Sequence, residues 1–534
     1  MKDSNAWGDK AMVNKKKLSL LVTSDTHGYV YPTNYSDREE RHLGLAKVAT
    51  LVEEKRKTSD VILLDNGDLI QGSPLTFHHA KYQRDTLNPL IKFANHMGYA
   101  ASVLGNHEFN YGLDYLQQVI EQSDFPWLSS TVLNEKDHNP AFGNAYLIKK
   151  IDGIRVAILG VTTHYIPNWE DPKNIKGLAF EDAFETTKKW VQYIKQEETP
   201  DVLIVSYHGG FERDLETGEP TEPLTGENQG YQICKEIDGI DILVTGHQHR
   251  SIADKLNDVT IVQPSNNGQV LGEVEVEFEL VDGQWTYMNS NALLHQITEG
   301  VEANKKVLQL IDEYEQDTQV WLDQQIGEVN GDMTIDDPFQ VRLKEHPFIE
   351  FINKVQMDIA KVSISNTSLF NNASPGFGST ITMRDIVSNY VYPNTLKVIR
   401  VSGKDIREAL EKSATYFMLN EQGEIIVNPA FVEPKPQHYN YDMWEGIEYE
   451  FNISNSIGAR VTKLNYQGNP IDEAASFDVV MNNYRAGGGG NFYMYQGKQV
   501  VQDIPTDMTE LIANYILDRK KIKATCNNNW QVVK

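Results

Sequence analysis

A short apolar run, Ala101-Ser-Val-Leu104, breaks at Gly105 and is followed at once by Asn106 and His107, two side chains able to bind a metal or move a proton. A β-branched, apolar run that stops at a glycine predicts a buried strand meeting a tight turn. One polar loop after one core strand is ordinary, but here the arrangement occurs five times. Leu18 to Ser24 runs into Asp25-Thr-His27-Gly28, and Val61 to Leu64 into Asp65-Asn-Gly-Asp68. Asp201 to Ser206 runs into Tyr207-His208, and Ile240 to Thr245 into Gly246-His-Gln-His249. Helical spacing over 43–57, 87–97 and 180–196 alternates with these runs. The pattern predicts an α/β layered domain with both sheet faces covered. If the strands are parallel neighbours, all five ends share the C-terminal edge of one sheet, where ligands bind in open α/β sheets.

At 534 residues the chain exceeds one ordinary domain. Residues 1–16 read as a polar lead-in. The layered domain spans 17–295 and closes with antiparallel alternation over 259–290, as in Glu273-Val-Glu-Val-Glu-Phe-Glu279. Val301 to Gln325 is charged with helical spacing and predicts a connecting helix within a linker at 296–335. Residues 336–534 are richer in Asn, Tyr and Gly. They predict a smaller α+β domain, with a helix over Asp405–Phe417 and strands over Trp444–Ile453 and Phe477–Met481. Gly487 to Gly490 directly follows Asn482-Asn-Tyr-Arg485, which points to a backbone shaped to approach a ligand.

The net charge of −26 excludes a nucleic-acid polymer held by a basic groove, but not a small anion beside a metal. Cys234 and Cys526, the two cysteines, make no disulfide framework and no cysteine-based zinc site. No apolar run approaches the ~18 residues of a membrane span. Lys15-Lys-Lys17 before Leu18-Ser-Leu-Leu-Val22 has the outline of a signal peptide, but its apolar part falls short of the ~7–15 residues required. The expected location is the cytoplasm, with a secreted protein lacking its signal as the alternative. The sequence carries no signal for an oligomeric state.

The strand-end residues Asp25, His27, Asp68, Asn106, His107, His208, His247 and His249 form the candidate site. Residues i and i+2 of a strand face one side, so Asp25 with His27, and His247 with His249, are each expected to offer two ligands to one point. Asp68 can bridge two ions. A set so rich in imidazole suits two divalent transition-metal ions, Zn, Mn, Fe or Co, over Ca or Mg. A pair of such ions ~3.5–4 Å apart activates water and clamps phosphoryl oxygens, the chemistry of phosphate-ester hydrolysis.

Asp25-x-His27, Gly67-Asp68, Gly105-Asn-His-Glu108, His208 and Gly246-His-x-His249 together resemble the calcineurin-like metallophosphoesterase signature. With the second region, nearly the whole chain resembles the bacterial 5′-nucleotidase / 2′,3′-cyclic-nucleotide 2′-phosphodiesterase family. The resemblance implies a metallophosphoesterase domain joined by a helix to a smaller α+β nucleoside-binding domain. It implies one metal on Asp25, His27, Asp68 and His249, and another on Asp68, Asn106, His208 and His247. His107 would then stabilise the phosphoryl charge or protonate the leaving oxygen. Two aromatic side chains would sandwich the base. The matching positions are Tyr441 and Tyr484, although Tyr439 lies one strand repeat from Tyr441.

Two departures bear on the substrate. Where the 5′-nucleotidase branch places an Asp beside the histidine, this chain has Asn110, which orients the ring without adding charge. Where that branch has an Asn-Gly-Gly-x-Arg phosphate motif, this chain has Ser365-Asn-Thr-Ser-Leu-Phe370, and only Asn366 remains as a polar contact. Both departures resemble the 2′,3′-cyclic-nucleotide 2′-phosphodiesterase/3′-nucleotidase branch. A cyclic diester carries one negative charge where a monophosphate carries about two, and needs less cationic clamping. The expected partner is a small nucleotide. The alternatives are a 5′-nucleotidase or UDP-sugar hydrolase and, less favoured, a nucleotide-binding protein without turnover.

Overall fold

The computed structural model describes residues 15–534 except 169, 223, 391, 393, 434 and 505. Most of the expected lead-in lies outside the described residues. Its last two residues, Lys15 and Lys16, already belong to the first strand, Lys15–Thr23.

Two six-stranded sheets form the first region. One runs in the order Gln284–Gln296, Val270–Val281, Lys15–Thr23, Asp60–Asp65, Ala101–Val103, Trp127–Leu128. The other runs Ser251–Leu256, Val259–Pro264, Ile242–Val244, Val202–His208, Ile154–Thr162, Tyr146–Ile151. Lys15–Thr23, Asp60–Asp65 and Ala101–Val103 are parallel neighbours, as are Ile242–Val244 and Val202–His208. The five motif strands are therefore divided between two sheets, which corrects the expectation of one shared edge.

The apolar runs are nearly continuous because both faces of each sheet are buried. Leu18, Leu20, Val22, Ile62 and Leu64 face inward and meet Ile158, Ile204, Ile242 and Val244 of the second sheet. The intervening Leu21 and Leu63 face outward onto Leu45, Val48 and Val52 of helix Leu45–Arg56 and Leu90 and Ala94 of helix Pro89–Met97. Leu203 and Val205 do the same on the far side, against helices Ala183–Tyr193 and Gly230–Glu236. Period-two alternation thus sorts each strand into four layers: helices, sheet, sheet, helices. Facing sheets also bring the strand ends of both to one rim.

The connecting helix is Lys305–Leu322, started by Asn304, whose side chain accepts from the amides of Lys306 and Val307. It is anchored on the first region. Val307 and Ile311 are fully buried there, and Trp321 stacks on Phe77 with centroids 5.7 Å apart.

The second region centres on a five-stranded sheet, ordered Asp442–Glu445, Ile364–Ser368, Ser476–Asn482, Leu396–Ser402, Val500–Ile504. The expected helix over Asp405–Phe417 is Gly403–Ala414, begun by a reciprocal Ser402–Asp405 capping box. The expected strand Trp444–Ile453 is split into Asp442–Glu445 and Glu448–Asn452, which join different sheets. Gly446 makes the break. Its φ is 88°, and a Cβ there would stand 1.9 Å from the Ser363 carbonyl oxygen. Among the described residues no helix is long and apolar enough to cross a membrane.

Candidate active site

Five of the seven expected metal ligands have left-handed backbone: Asp25 (φ 51°), His27 (49°), Asp68 (55°), His247 (64°) and His249 (57°). Side chains other than glycine seldom adopt this conformation, and it concentrates at functional sites. It also corrects the expected source of convergence. Strand Lys15–Thr23 ends before Asp25, and Ile242–Val244 ends before His247. The pairs converge through tight left-handed turns beyond the strands, not through strand alternation. The Asp25 amide donates to Gly67 O at 2.9 Å and the His27 amide to Asp68 O at 2.8 Å, so the first two motif loops are tied to each other.

The imidazoles are oriented from outside. His208 Nδ1 donates to the Asn66 carbonyl at 2.7 Å, leaving Nε2 to face Asp68 Oδ2 at 3.3 Å and Asn106 Oδ1 at 3.1 Å. His27 Nδ1 donates to the Gln71 carbonyl at 3.2 Å, and its Nε2 meets His249 Nε2 at 3.1 Å. His247 Nε2 donates to Glu227 Oε1 at 2.8 Å, and its Nδ1 faces Asn106 Oδ1 at 2.9 Å. His249 Nε2 lies 3.5 Å from Asp25 Oδ1. An outer hydrogen bond that turns the other nitrogen inward is the arrangement of a metal-bound histidine.

Two groups of inward atoms result, Asp25/His27/His249 and Asp25/Asp68/His208, each with its ligand atoms within 4.8 Å of one another. Lone pairs face lone pairs, a contact that only a cation or a proton relieves. The electrostatics agree. Burial disfavours a charged His208, but Asp68, Asp25 and Glu108 outweigh it and push the imidazole up to about 10. Burial likewise opposes ionisation of Asp68, yet the surrounding histidines, His208 foremost, hold its carboxyl well below the usual range. A proton on His208 thus stands where a divalent ion fits. Burial pushes His27 down to about 3, keeping that ring neutral and able to bind metal.

Glu108, fully buried, fixes the two central loops together. Its Oε2 accepts from the amides of Gly105 (2.7 Å) and Asp68 (2.9 Å), and its Oε1 from Leu69 (2.7 Å). Gly105 allows this approach, since a Cβ there would stand 2.2 Å from Asp68 Oδ1. The His107 amide donates to the same oxygen at 2.8 Å, and its Nδ1 meets Asn110 Oδ1 at 2.7 Å. Asn110 Nδ2 in turn donates to Glu170 Oε2 at 2.6 Å.

The second region faces this rim across a cleft lined by Tyr165, Thr225 and Glu227 on one side and Tyr484, Gly489 and Asn491 on the other. Of the two tyrosines expected to sandwich a base, Tyr484 lines this cleft and Tyr441 does not. Tyr441 is fully buried, its ring packs on Tyr416 and Phe417, and its hydroxyl donates to the Arg342 carbonyl at 2.9 Å. Tyr439 is the aromatic beside Tyr484, with centroids 6.5 Å apart. A 3-10 turn over His438–Asn440 precedes Tyr441, so the two-residue strand repeat does not hold there. Asn366 is also displaced from its expected role. It lies inside strand Ile364–Ser368, paired with Trp444 and 1% exposed.

Arg485, buried, organises the aromatic pair. It pairs with Asp442 at 2.8 Å, donates to the Tyr439 carbonyl at 2.9 Å and bonds the Gly489 carbonyl. The glycine run lets the chain lie against Tyr484 itself: a Cβ on Gly489 would stand 2.6 Å from that ring. Lys435 also comes from this region, and its Nζ lies 3.5 Å from the His247 carbonyl oxygen. No motif marks Lys435, Glu227 or Glu170 in the sequence, because each acts on residues distant in the chain.

Buried carboxylates and imidazoles gathered around two overlapping centres, on the rim of two facing sheets, are the construction of a metal-dependent phosphoester hydrolase. Residues 18–251 match the family model for calcineurin-like phosphoesterase, and residues 325–497 that for the 5′-nucleotidase C-terminal domain. A solved structure described as a putative 5′-nucleotidase from Staphylococcus aureus, in complex with alpha-ketoglutarate, is 33% identical with a TM-score of 0.88, covering 97% of this chain and 100% of that one. The chain therefore belongs to the two-domain 5′-nucleotidase family of metallophosphoesterases. A 2′,3′-cyclic-nucleotide 2′-phosphodiesterase/3′-nucleotidase from Yersinia enterocolitica is 27% identical over 96% of this chain and 88% of its own length. The trifunctional nucleotide phosphoesterase YfkN of Bacillus subtilis is also 27% identical over 96% of this chain, which spans 39% of that protein.

Proposed function

We propose that this chain hydrolyses 2′,3′-cyclic nucleotides to 3′-nucleotides, and 3′-nucleotides onward to nucleoside and phosphate. Asp25, His27, Asp68 and His249 would hold one divalent transition-metal ion, and Asp68, Asn106, His208 and His247 a second. When bound, such ions supply an ionised water and an electrophilic clamp on phosphoryl oxygens. Asp68 would serve both centres, and Glu108 keeps its loop against that of Asn106. His107 donates a proton to O2′ as the P–O2′ bond breaks. Tyr439 and Tyr484 grip the base, and Lys435 brings a cation toward the phosphate from the second region.

The observation that carries this reading is the His107–Asn110 contact of 2.7 Å, in which an uncharged amide stands where the 5′-nucleotidase branch has a carboxylate. The name of the Yersinia relative points the same way. A 5′-nucleotidase is the second reading, favoured by the description of the Staphylococcus structure.

The test is phosphate release and product identity with manganese-loaded protein on 2′,3′-cyclic AMP, 3′-AMP and 5′-AMP. Turnover of the first two is expected, with His107→Ala lowering kcat by about 10²–10⁴-fold while metal content is retained. A clear preference for 5′-AMP sinks the proposal in favour of the second reading.

A further inference from the structure

Glu170 sits between two short 3-10 turns, Ile166–Asn168 and Pro172–Ile175, far in sequence from every motif of the site. Its Oε2 accepts from Asn110 Nδ2 at 2.6 Å, and its Oε1 accepts from Asn174 Nδ2 at 2.9 Å and the Asp171 amide at 2.8 Å. Three N–H groups thus converge on one carboxylate. An asparagine side chain has two chemically different ends, and nothing in Asn110 alone decides which end meets His107. A carboxylate only accepts, so the amide NH2 must turn toward Glu170 and the carbonyl toward His107. Nδ1 of His107 then carries its hydrogen toward Asn110 Oδ1, and Nε2 is the nitrogen left to face substrate.

We propose that Glu170 is the positioning residue of the reaction: it sets the Asn110 amide, which sets the ring orientation and tautomer of His107. It works through two hydrogen bonds and touches no substrate. The inference deepens the proposed role of His107 as proton donor and rests on that reading. The Asn110–Glu170 pair takes over the orienting part of a directly bonded carboxylate and keeps the negative charge one residue further from the ring.

The relay implies a specific pattern of epistasis. Glu170→Gln offers Asn110 a donor as well as an acceptor, so the amide loses its fixed sense. Asn110→Asp places two carboxylates in contact. Combining the two restores a sound chain, because the carboxylate introduced at position 110 accepts both from His107 and from the amide introduced at position 170.

The four proteins, each metal-loaded, are compared on 2′,3′-cyclic AMP and on bis(4-nitrophenyl) phosphate, whose nitrophenolate leaves without needing a proton. Bound metal and the thermal midpoint are followed in parallel. Glu170→Gln is expected to lower kcat on the cyclic nucleotide by about 10–100-fold, with KM and metal content little changed and a far smaller loss on the nitrophenyl ester. Asn110→Asp is expected to lose at least as much, and the double variant to exceed both single variants. Equal losses on the two substrates, or single losses that multiply in the double variant, overturn the proposal. So does a Glu170→Gln effect below about threefold. If the wild type cleaves the nitrophenyl ester but not the cyclic nucleotide, the substrate proposal fails by itself, and the epistasis is read on whichever of 3′-AMP and 5′-AMP is turned over.

Discussion

Asp25, His27, Asp68, His247 and His249 are held by their own backbone, in left-handed turns directly after core strands. Tyr439 and Tyr484 are held by another side chain, Arg485, which reaches across from one loop to the other. In the first region a short local sequence fixes each of these side chains, because strand, turn and side chain are neighbours in the chain. In the second, position is decided by a buried ion pair between Arg485 and Asp442 that no local pattern specifies. Side chains that hold a metal ion need placement within a few tenths of an ångström, which strained backbone supplies. Stacking on a base tolerates a looser grip, since every base presents a π-face.

The largest test of this contrast is Asp68→Ala. The carboxylate belongs to both proposed metal sets, so its removal should abolish both phosphate release and the second bound ion. Elemental analysis of the purified variant checks the metal count. Retention of two ions per chain would break the claim that Asp68 bridges.

The aromatic pair gives an intermediate effect. Tyr484→Ala and Tyr439→Ala should each raise KM about 5–150-fold, the equivalent of about 1–3 kcal/mol of stacking, with metal content intact. Tyr441→Phe should leave KM unchanged and cost about 0.5–1.5 kcal/mol of stability through loss of its bond to the Arg342 carbonyl. Steady-state kinetics and denaturant unfolding on the same three proteins decide the matter. A KM effect at Tyr441 and none at Tyr439 would reverse the assignment.

The effect that is smallest at any one pH step concerns protons. In the metal-free protein the carboxylates around His208 push it up to about 10, so the folded form binds a proton there that an incoming ion must displace. Metal affinity should therefore rise, by up to about tenfold per pH unit, as pH climbs from neutrality toward 10. The same shift has a stability consequence. A raised histidine stabilises the metal-free fold fully below its unfolded value, near 6.5, and that contribution fades as pH rises through about 10. Calorimetric metal titration in buffers of differing ionisation heat counts the released protons. Affinity independent of pH would mean that the ion does not replace the His208 proton.

The layered α/β fold, the connecting helix and the α+β character of the second region were legible in the sequence, because each rests on periodicity within a few residues. That Asp25, His27, Asp68, Asn106, His208, His247 and His249 gather in one place was legible too, because each is a polar residue at the end of an apolar run. Three readings of the site did not hold, one drawn from strand alternation and two carried over from the family resemblance. Strand alternation does not explain how Asp25 meets His27, since both lie beyond the strand. The family resemblance placed Tyr441 against the base, whereas its ring is closed in the core and Tyr439 is the aromatic beside Tyr484. Asn366 reads as a polar contact but is closed inside a sheet.

By itself the sequence determined what each strand end carries, because hydrophobic alternation and glycine breaks act on adjacent residues. Only the tertiary structure decided that these ends meet on the rim of two sheets, not one. It alone brought Glu227 to His247, Lys435 to the same rim and Glu170 to Asn110. Those contacts join residues 20, 188 and 60 positions apart. Their geometry follows from how whole layers pack, which burial of apolar surface drives without regard to the polar groups it carries along.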